Sequence, residues 1–473
     1  MRKPSESLTC VIPSEDAAYN QNAPGSGAFG LPRPRRGTCF SLLLTLVLFS
    51  PALAQQPSRM AATRPGATAI AIKGGKLLTI THGVIENGVV VMENGKITAV
   101  GPAASTNVPA NARVIDATGM TVYPGLIDSE TRLGLTEISA EPSTNDLSEP
   151  SDEIMPHMHV ADAFHAETDL IPTTRVNGIT NAIVAPGTQD TLPGQDSFIQ
   201  LAGPSADEML LVRDIAMPLN FTGSQRRKMD WQSGRGTYPT TRMGMAAQLR
   251  QSFLDALDYQ QKLADSDKRK GEKGVQPVKR DLKLEALLPY LQGKKPIVLA
   301  ASEPSDLQTA VALANEFHLK LILNHVTHSQ SLLDYIARLQ APVIVGPIYD
   351  FPKENERYDA VYRLPGELFR RGVKIAFASY DSHQVRNLPY AAGYAVAYGL
   401  PYDEAMKALT INAAEIWGLA DRLGSLDVGK MANVVVANGD PLDVKTDVKH
   451  VFISGQEIPL WDRQMELRDQ YSK

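Results

Sequence analysis

The sequence predicts an α/β fold in which a (β/α)8 barrel of the TIM type is joined to a composite β-sandwich domain formed by both chain ends. Two observations predict it. Short apolar runs alternate with helical patterns through the middle of the chain, and β-rich segments lie on both flanks. We assign residues 55–122 and 423–473 to the sandwich and residues 123–422 to the barrel.

The composition is that of an ordinary globular chain. Of the 473 residues, 43% are hydrophobic, 6% aromatic and 21% charged, and the formal net charge is -5. These fractions exclude a disordered, collagen-like or multispan membrane protein. Because there is no strong positive field to hold phosphate groups, we expect no nucleic-acid partner. The sequence leaves the oligomeric state open and is compatible with a homo-oligomer.

Residues 1–54 have the pattern of a secretory signal peptide with an extended n-region. Basic residues that include Arg36 precede the apolar run 39–49, and Ala52 and Ala54 form a small-x-small cleavage pattern. The run is shorter than the ~20 residues that a membrane-spanning helix needs. We therefore expect cleavage after Ala54, an exported protein that is periplasmic or secreted, and no membrane association of the mature chain.

The β-rich flanks share the same turn signals. Residues 69–80 are typical of strands, and Asn94-Gly95 between two further β-rich runs predicts a hairpin, because both positions tolerate a positive φ. Near the C-terminus, residues 432–437 and 450–456 repeat this pattern. The two flanks are therefore predicted to build one small sheet domain.

The interior shows the spacing of βα units. Apolar runs at 296–300, 321–323, 342–346 and 374–378 recur at intervals of roughly 20 to 30 residues, which favours a parallel sheet. Ser305-Asp306-Leu307-Gln308 has the pattern of a capping box and predicts the start of a helix.

Residues 222–295 interrupt this rhythm. The segment is polar, carries basic clusters and has helical periodicity around 249–263. We interpret it as an inserted helical excursion with a solvated face.

Three motifs bracket the expected barrel. Pro124-Gly125-Leu126-Ile127-Asp128 feeds its first strand, Asn412-Ala413-Ala414 stands near its end, and residues 423–436 lead back into the flanking sheet. In these motifs the chain resembles the amidohydrolase superfamily, and in particular the imidazolonepropionase-like exported amidohydrolases. The resemblance implies a metal-dependent hydrolase that acts on carbon–nitrogen bonds other than peptide bonds in a small-molecule substrate.

The first metal-binding motif departs from the family pattern. Where the family has Asp-x-His-x-His, this chain has Asp128-Ser129-Glu130-Thr131-Arg132, so Glu130 and Arg132 stand at the two histidine positions. A carboxylate can still bind a divalent ion, whereas a guanidinium has no lone pair to offer and stays protonated. We therefore expect a degenerate metal site.

The resemblance supplies the other candidates. His325 matches the family's sixth-strand histidine and Asp381 its eighth-strand aspartate, while Ala300 lies where a fifth-strand histidine is expected. The predicted metal ligands are His325, Asp381 and Glu130, for at most one Zn²⁺, and a metal-free site is the alternative. The predicted catalytic residues are Asp381, which activates water, and Arg132, which polarises a carbonyl.

Two functions remain open at this point. The first is hydrolysis of a carbon–nitrogen bond in a small cyclic amide, imide or dipeptide-like substrate. The second is a non-catalytic ligand-binding or scaffold protein that retains the fold. Under the second, Glu130 and Arg132 form a buried structural ion pair, and Asp381 caps the turn after its strand.

Overall fold

The computed structural model describes residues 69–221, 238–270 and 276–472, together with the backbone of 229–230 and 235–236. The expected signal peptide at 1–54 lies outside the described residues, as do parts of the insertion. The barrel and sandwich boundaries given above stay predictions.

One sheet takes strands from both flanks of the chain. Its strands are β1 (Ala69–Leu78), β2 (Val84–Glu93), β3 (Lys96–Pro102), β4 (Arg113–Asp116), β5 (Thr121–Pro124), β16 (Val434–Ala437), β17 (Val448–Ile453) and β18 (Gln456–Ile458). The order is β18-β17-β16-β5-β1-β2-β3, with β4 paired to β1. Because β5 pairs antiparallel with β16, the predicted composite domain is confirmed.

The hairpin between β2 and β3 turns as predicted. Asn94 and Gly95 have φ angles of 50° and 77°, the left-handed conformation that a two-residue hairpin turn requires.

The second sheet is a nearly closed barrel of eight strands. They are β6 (Leu126–Thr131), β7 (Ile179–Val184), β8 (Asp196–Gln200), β9 (Leu210–Asn220), β12 (Ile297–Ala300), β13 (Leu321–Asn324), β14 (Val343–Val345) and β15 (Ile375–Phe377). Their order is β15-β14-β13-β12-β9-β8-β7-β6. The backbone N–H of Tyr380 donates to the carbonyl of Glu130 at 2.9 Å and so joins the two ends of the sheet. This confirms the predicted barrel.

One strand runs against the others. β8 is antiparallel to both β7 and β9, whereas the remaining neighbours pair in parallel. In its register with β7, Ser197 faces Val184, the last residue of β7. The first residue of β8, Asp196, therefore lies at the edge where the parallel strands end.

Helices surround the barrel and connect its strands. They are α1 (Val160–Ala163), α2 (Leu170–Arg175), α3 (Ala206–Met209), α4 (Arg242–Lys268), α5 (Leu282–Leu291), α6 (Pro304–Glu316), α7 (Leu333–Arg338), α8 (Ala360–Arg370), α9 (Leu388–Ala397), α10 (Tyr402–Ala408), α11 (Ile411–Ile416) and α12 (Arg463–Tyr471). A two-strand ladder of β10 (Met229–Asp230) and β11 (Arg235–Gly236) precedes α4. Within the described ranges, no helix combines the length and hydrophobicity needed to cross a bilayer.

Two helices, α4 and α5, form most of the described part of the insertion. α4 contains the predicted periodic segment and buries Leu249, Phe253 and Ala256, which recur at helical spacing. The helix start predicted from Ser305 to Gln308 is confirmed to within a residue, although no side chain forms the predicted cap. α6 begins at Pro304 without a side-chain cap, and the Asp306 carboxylate instead accepts a hydrogen bond from Arg242 of α4.

The barrel interior is filled with side chains. Ile127, Val298, Ile322 and Ile344 come from four different strands and belong to one buried cluster, which α11 extends through Ala413. Because the interior of the barrel is packed with side chains and is not a pore, a ligand can bind at the face where the strands end.

Candidate active site

The candidate active site lies where the parallel strands end. Glu130 lies near the end of β6, and Arg132 is the first residue after that strand. Asn324 is the last residue of β13, and Tyr380 follows β15 after a short loop. Parallel strands of a barrel present their carboxyl ends on one face, which brings these distant residues together. We call Glu130, Arg132, Asn324, His325 and Tyr380 the strand-end cluster.

An ion pair occupies the centre of this cluster. Nη2 of Arg132 donates to Oε1 of Glu130 at 2.7 Å, and Nη1 of Arg132 donates to the carbonyl of Ala185 at 3.0 Å. The two side chains are only 9% and 6% exposed. Burial alone would raise the pKa of Glu130, but the charges of Arg132 and His325 outweigh burial and hold that pKa below its ordinary value. Glu130 is therefore an anion at neutral pH.

Asn324 holds the other oxygen of this carboxylate. Its Nδ2 donates to Oε2 of Glu130, and its Oδ1 accepts from the hydroxyl of Tyr380 and from the backbone N–H of His325. The two oxygens of Glu130 thus have partners at the ends of two strands, Arg132 after β6 and Asn324 in β13. The carboxylate is fixed in position before any ligand arrives.

His325 and Tyr380 have an unusual backbone conformation. Their φ angles are 51° and 56°, in the left-handed region that non-glycine residues seldom adopt. Their rings lie against each other, with centroids 4.2 Å apart. The Nε2 atom of His325 is buried and has no hydrogen-bond partner among the described residues. That nitrogen is therefore an unpartnered polar group beside the ion pair.

Asp381 lies beside the cluster and points outward. Its carbonyl oxygen accepts from the hydroxyl of Thr131 at 2.6 Å and from the backbone N–H of Arg132 at 3.3 Å. Its carboxylate is 47% exposed, and Oδ1 accepts from the backbone N–H groups of His383 and Gln384. The carboxylate thus caps the following turn, as expected if Asp381 has a structural role. These two bonds do not use Oδ2.

Three of the residues predicted as metal ligands or catalytic groups, Glu130, Arg132 and Asp381, are brought together only in part. Arg132 forms an ion pair with Glu130, whereas the contact recorded between Arg132 and Asp381 is through the backbone. The catalytic and metal-binding roles assigned to Asp381, Arg132, His325 and Glu130 stay predictions.

Two buried acids near the cluster were missed by the sequence analysis as site residues. Asp128 is fully buried, its Oδ1 accepts from the backbone N–H groups of Glu130 and Ser379 at 3.1 Å, and burial raises its pKa to about 7. Asp196 is 1% exposed and neither of its oxygens has a hydrogen-bond partner among the described residues. Burial, reinforced by the charge of Glu130, raises the pKa of Asp196 well above its ordinary value. Asp196 therefore holds its proton to a higher pH than an ordinary aspartate does.

Asn324 and Tyr380 were missed as well. The signal for Asn324 was its place beside the proposed ligand His325 at the end of an apolar run, and Tyr380 likewise precedes Asp381. Neither position revealed a link to Glu130, because that link depends on how the barrel closes.

The side chains at positions 130 and 132 do not fit the metal that the family resemblance implies. Arg132 faces Glu130, cannot donate a lone pair and repels a cation. Both oxygens of Glu130 are already engaged by Arg132 and Asn324. In the part of the chain that the structure describes, no group of three or more His, Cys, Asp or Glu residues is arranged to hold a metal ion.

Comparison with known proteins agrees with the fold and the motifs. A model of the amidohydrolase family matches residues 306–458. The amidohydrolase tasK of Hapsidospora irregularis is 26% identical over 388 residues, which cover 78% of this chain and 39% of tasK. This chain therefore spans well under half the length of that relative. The imidazolonepropionase of Symbiobacterium thermophilum is 26% identical over 412 residues, which cover 77% of this chain and 89% of the relative.

A solved structure supports the same assignment. The amidohydrolase from Thermotoga maritima MSB8 superposes with a TM-score of 0.75 at 29% identity, covering 83% of this chain and 100% of that chain. Together with the barrel, the composite sheet and the bracketing motifs, these matches show that the chain is similar to proteins of the amidohydrolase superfamily, and the family model itself matches its C-terminal part.

Proposed function

We propose that the protein hydrolyses a carbon–nitrogen bond in a small cyclic amide, imide or dipeptide-like substrate, and that it does so without a metal ion at positions 130 and 132. The observation that carries this proposal is the buried contact of 2.7 Å between Glu130 and Arg132. It fixes a guanidinium, balanced by one carboxylate, at the strand ends, the face on which barrel enzymes carry their chemistry. The similarity to proteins named amidohydrolase and imidazolonepropionase supports the reaction class.

Arg132 is the group that stabilises negative charge on the substrate. A guanidinium has five N–H donors, and the bonds to Glu130 and Ala185 use two of them. A further N–H donates to the carbonyl oxygen of the substrate. When water attacks the carbonyl carbon, this oxygen becomes an oxyanion, and a preorganised cation in a dry site lowers the barrier to that step.

Asp381 and His325 move the protons. Oδ2 of Asp381 accepts a proton from the attacking water while the new carbon–oxygen bond forms. His325 in its protonated form delivers a proton from Nε2 to the leaving nitrogen as the carbon–nitrogen bond breaks. The proton on Asp381 then returns to His325 through solvent, which restores the starting state.

Turnover in the presence of a chelator tests this proposal. We expect purified protein to hydrolyse members of a panel of cyclic amides, imides and dipeptides, and to keep that activity after removal of metals with EDTA. Asp381→Asn lowers kcat by about 10² to 10⁴-fold, the usual contribution of a general base. Asp421→Asn, an exposed aspartate on the barrel surface, is the matched control and leaves kcat unchanged. Stoichiometric zinc together with loss of activity in EDTA would contradict the proposal.

A second candidate function is a non-catalytic ligand-binding protein. The observation that favours it is that the charged groups of the site already have protein partners, since Asp381 caps a turn and Arg132 binds Glu130 and Ala185. In that case the same panel gives no turnover, while one of its members raises the Tm of the protein and Arg132→Met abolishes the shift.

We also propose that the mature chain acts outside the cytoplasm, on the basis of the signal-peptide pattern at 1–54. N-terminal sequencing of the mature protein tests this and is expected to begin at Gln55. A mature protein that retains residues before the apolar run would contradict it.

A further inference from the structure

A cleft of about 920 Å³ is lined by residues other than those of the strand-end cluster. Its walls are α9, the start of α10 and the loop after β16, and Tyr349 from the loop after β14 completes it. The volume is within the range of pockets that hold small molecules. None of its lining residues belongs to the strand-end cluster or has a role in the proposed hydrolysis, although the backbone N–H of one of them, Gln384, donates to the carboxylate of Asp381.

Four tyrosines line the cleft: Tyr349, Tyr390, Tyr394 and Tyr402. Tyr394 is 49% exposed, yet its ring is held on two sides. It stacks on Tyr362 with centroids 5.6 Å apart and meets the edge of Tyr349 at 5.9 Å. An aromatic ring that is fixed by its neighbours and still open to solvent offers a preorganised surface to a ligand.

The charged side chains of the cleft are both acidic. Asp440 and Asp443 line it, and none of the described lining residues is Lys, Arg or His. Oδ1 of Asp440 accepts from the hydroxyl of Tyr402 and the backbone N–H of Leu442, each at 2.9 Å, which fixes the carboxylate. Oδ1 of Asp443 accepts from the backbone N–H of Lys445 at 2.9 Å. These bonds leave Oδ2 of each carboxylate for another partner.

The depth of the cleft depends on one close backbone approach. A Cβ at Gly393 in α9 would lie 2.8 Å from the carbonyl oxygen of Leu442, so glycine lets the helix and the loop after β16 meet. This contact places the acidic loop against the helix face that carries Tyr390 and Tyr394. Carboxylates and aromatic faces therefore line the same space.

We propose that this cleft is a second binding site, specific for a small organic cation such as an alkyl or quaternary ammonium group carried on an apolar body. Ring faces attract cations through their quadrupole, and the two carboxylates add a negative field. The apolar lining, which includes Val396, Ala397 and Leu442, takes the uncharged part of the ligand. A neutral molecule of the same shape gains the apolar contacts but not the electrostatic ones, and so binds more weakly.

A pair of isosteric probes tests this site in the full chain. Choline and 3,3-dimethylbutan-1-ol have nearly the same shape, but only choline carries a positive charge. In ligand-observed NMR titrations we expect choline to bind at least about tenfold more tightly than the neutral alcohol. Equal affinities, or no binding of either probe, would overturn the proposal.

Substitutions locate the binding. Tyr394→Leu is expected to weaken choline binding about tenfold, whereas Tyr394→Phe keeps the ring and stays within about twofold of the wild type. Asp443→Asn, at an exposed position where folding is not at risk, weakens choline but not the alcohol. Tyr358→Leu is the matched control, because Tyr358 is 72% exposed and outside the cleft. Choline affinity that is unchanged by both Tyr394→Leu and Asp443→Asn rules out this site.

A second copy of the chain is the competing occupant. Sedimentation velocity of the wild type and of Tyr394→Leu decides this, because an interface on the cleft would give a dimer that the substitution dissociates. A dimer of that kind overturns the proposal, and a sedimentation coefficient that Tyr394→Leu leaves unchanged supports it.

Discussion

Nε2 of His325 lies 3.7 Å from Oε1 of Glu130, within the reach of charge but beyond that of a hydrogen bond. The same Oε1 accepts from Arg132 at 2.7 Å. The imidazole therefore stands beside an anion whose charge is already balanced by a guanidinium. This arrangement keeps His325 close to the ion pair without a hydrogen bond to it.

Removal of the guanidinium should strongly destabilise the protein. Arg132→Met leaves Glu130 buried without its cation, and breaking a buried pair in this way costs about 3–5 kcal/mol. The double variant Glu130→Gln/Arg132→Met should cost less than Arg132→Met alone, since no charge is then left unpaired. Urea unfolding measures both differences. The matched control is Arg250→Met, which breaks an exposed pair with Glu316 and should change stability by no more than about 1 kcal/mol. Equal effects of the two single variants would show that the buried pair has no special role.

Restoring the family's histidine pair should create a zinc site. The combined change Glu130→His and Arg132→His removes the repelling guanidinium and supplies two imidazoles next to His325. We expect this variant to retain near-stoichiometric zinc after dialysis and the wild type to retain none, as measured by plasma mass spectrometry. Arg132→His alone should bind zinc more weakly than the double variant. Zinc in the wild type at the same level as in the variant would refute this account of position 132.

The free energy of unfolding should fall as the pH rises from 3.8 to about 7, the range in which Asp128 is ionised in the unfolded chain but protonated in the folded one. Burial raises its pKa from 3.8 to about 7, so between these values the folded state holds a proton that the unfolded chain has released. Each proton held in this way makes the free energy of unfolding decrease with increasing pH. Asp128→Asn mimics the protonated acid and removes the dependence. The free energy of unfolding of Asp128→Asn minus that of the wild type should therefore rise by about 2–3 kcal/mol from pH 5 to pH 8. Denaturant titrations at both pH values measure this, with Asp421→Asn as the control, and parallel wild-type and Asp128→Asn profiles would contradict it.

Gly346 controls the position of Tyr380. Its φ is 145°, and a Cβ there would lie 2.3 Å from the carbonyl oxygen of Ala378 and 2.9 Å from the Tyr380 ring. Gly346→Ala should therefore cost more than about 2 kcal/mol of stability and displace the ring that packs on His325. Gly372→Ala is the matched control, because φ there is 75° but no atom lies within 4 Å, so only about 1 kcal/mol of backbone strain is expected. Thermal or urea unfolding measures both, and equal costs would mean that the close contacts at Gly346 are relieved.

The parallel part of the barrel could be predicted from the sequence because its strands are buried on both faces. Continuous apolar runs at 296–300 and 321–323 correspond to β12 and β13 within a residue or so. β8 could not be placed in this way. Its sequence, Asp196–Gln200, is partly polar, and nothing in its pattern says that it runs antiparallel. The buried acid Asp196 was missed for the same reason.

The candidate site was predictable as far as it depends on neighbours along one strand. Glu130 and Arg132 are two residues apart, and this spacing put both side chains at the strand end before the structure was known. The contribution of Asn324 and the left-handed conformations of His325 and Tyr380 depend on barrel closure, which no local pattern encodes. The outward direction of the Asp381 carboxylate follows from two backbone amides of the next turn.

The pairing of β5 with β16 has a consequence for how the chain matures. A ribosome releases β5 long before it completes β16, so during synthesis an edge of the first sheet stays uncovered while the whole barrel emerges. Exposed strand edges invite pairing with other chains. The final 40 residues thus cover the edge of β5. A nascent or truncated chain that lacks them exposes unpaired backbone groups on this strand and is prone to aggregation.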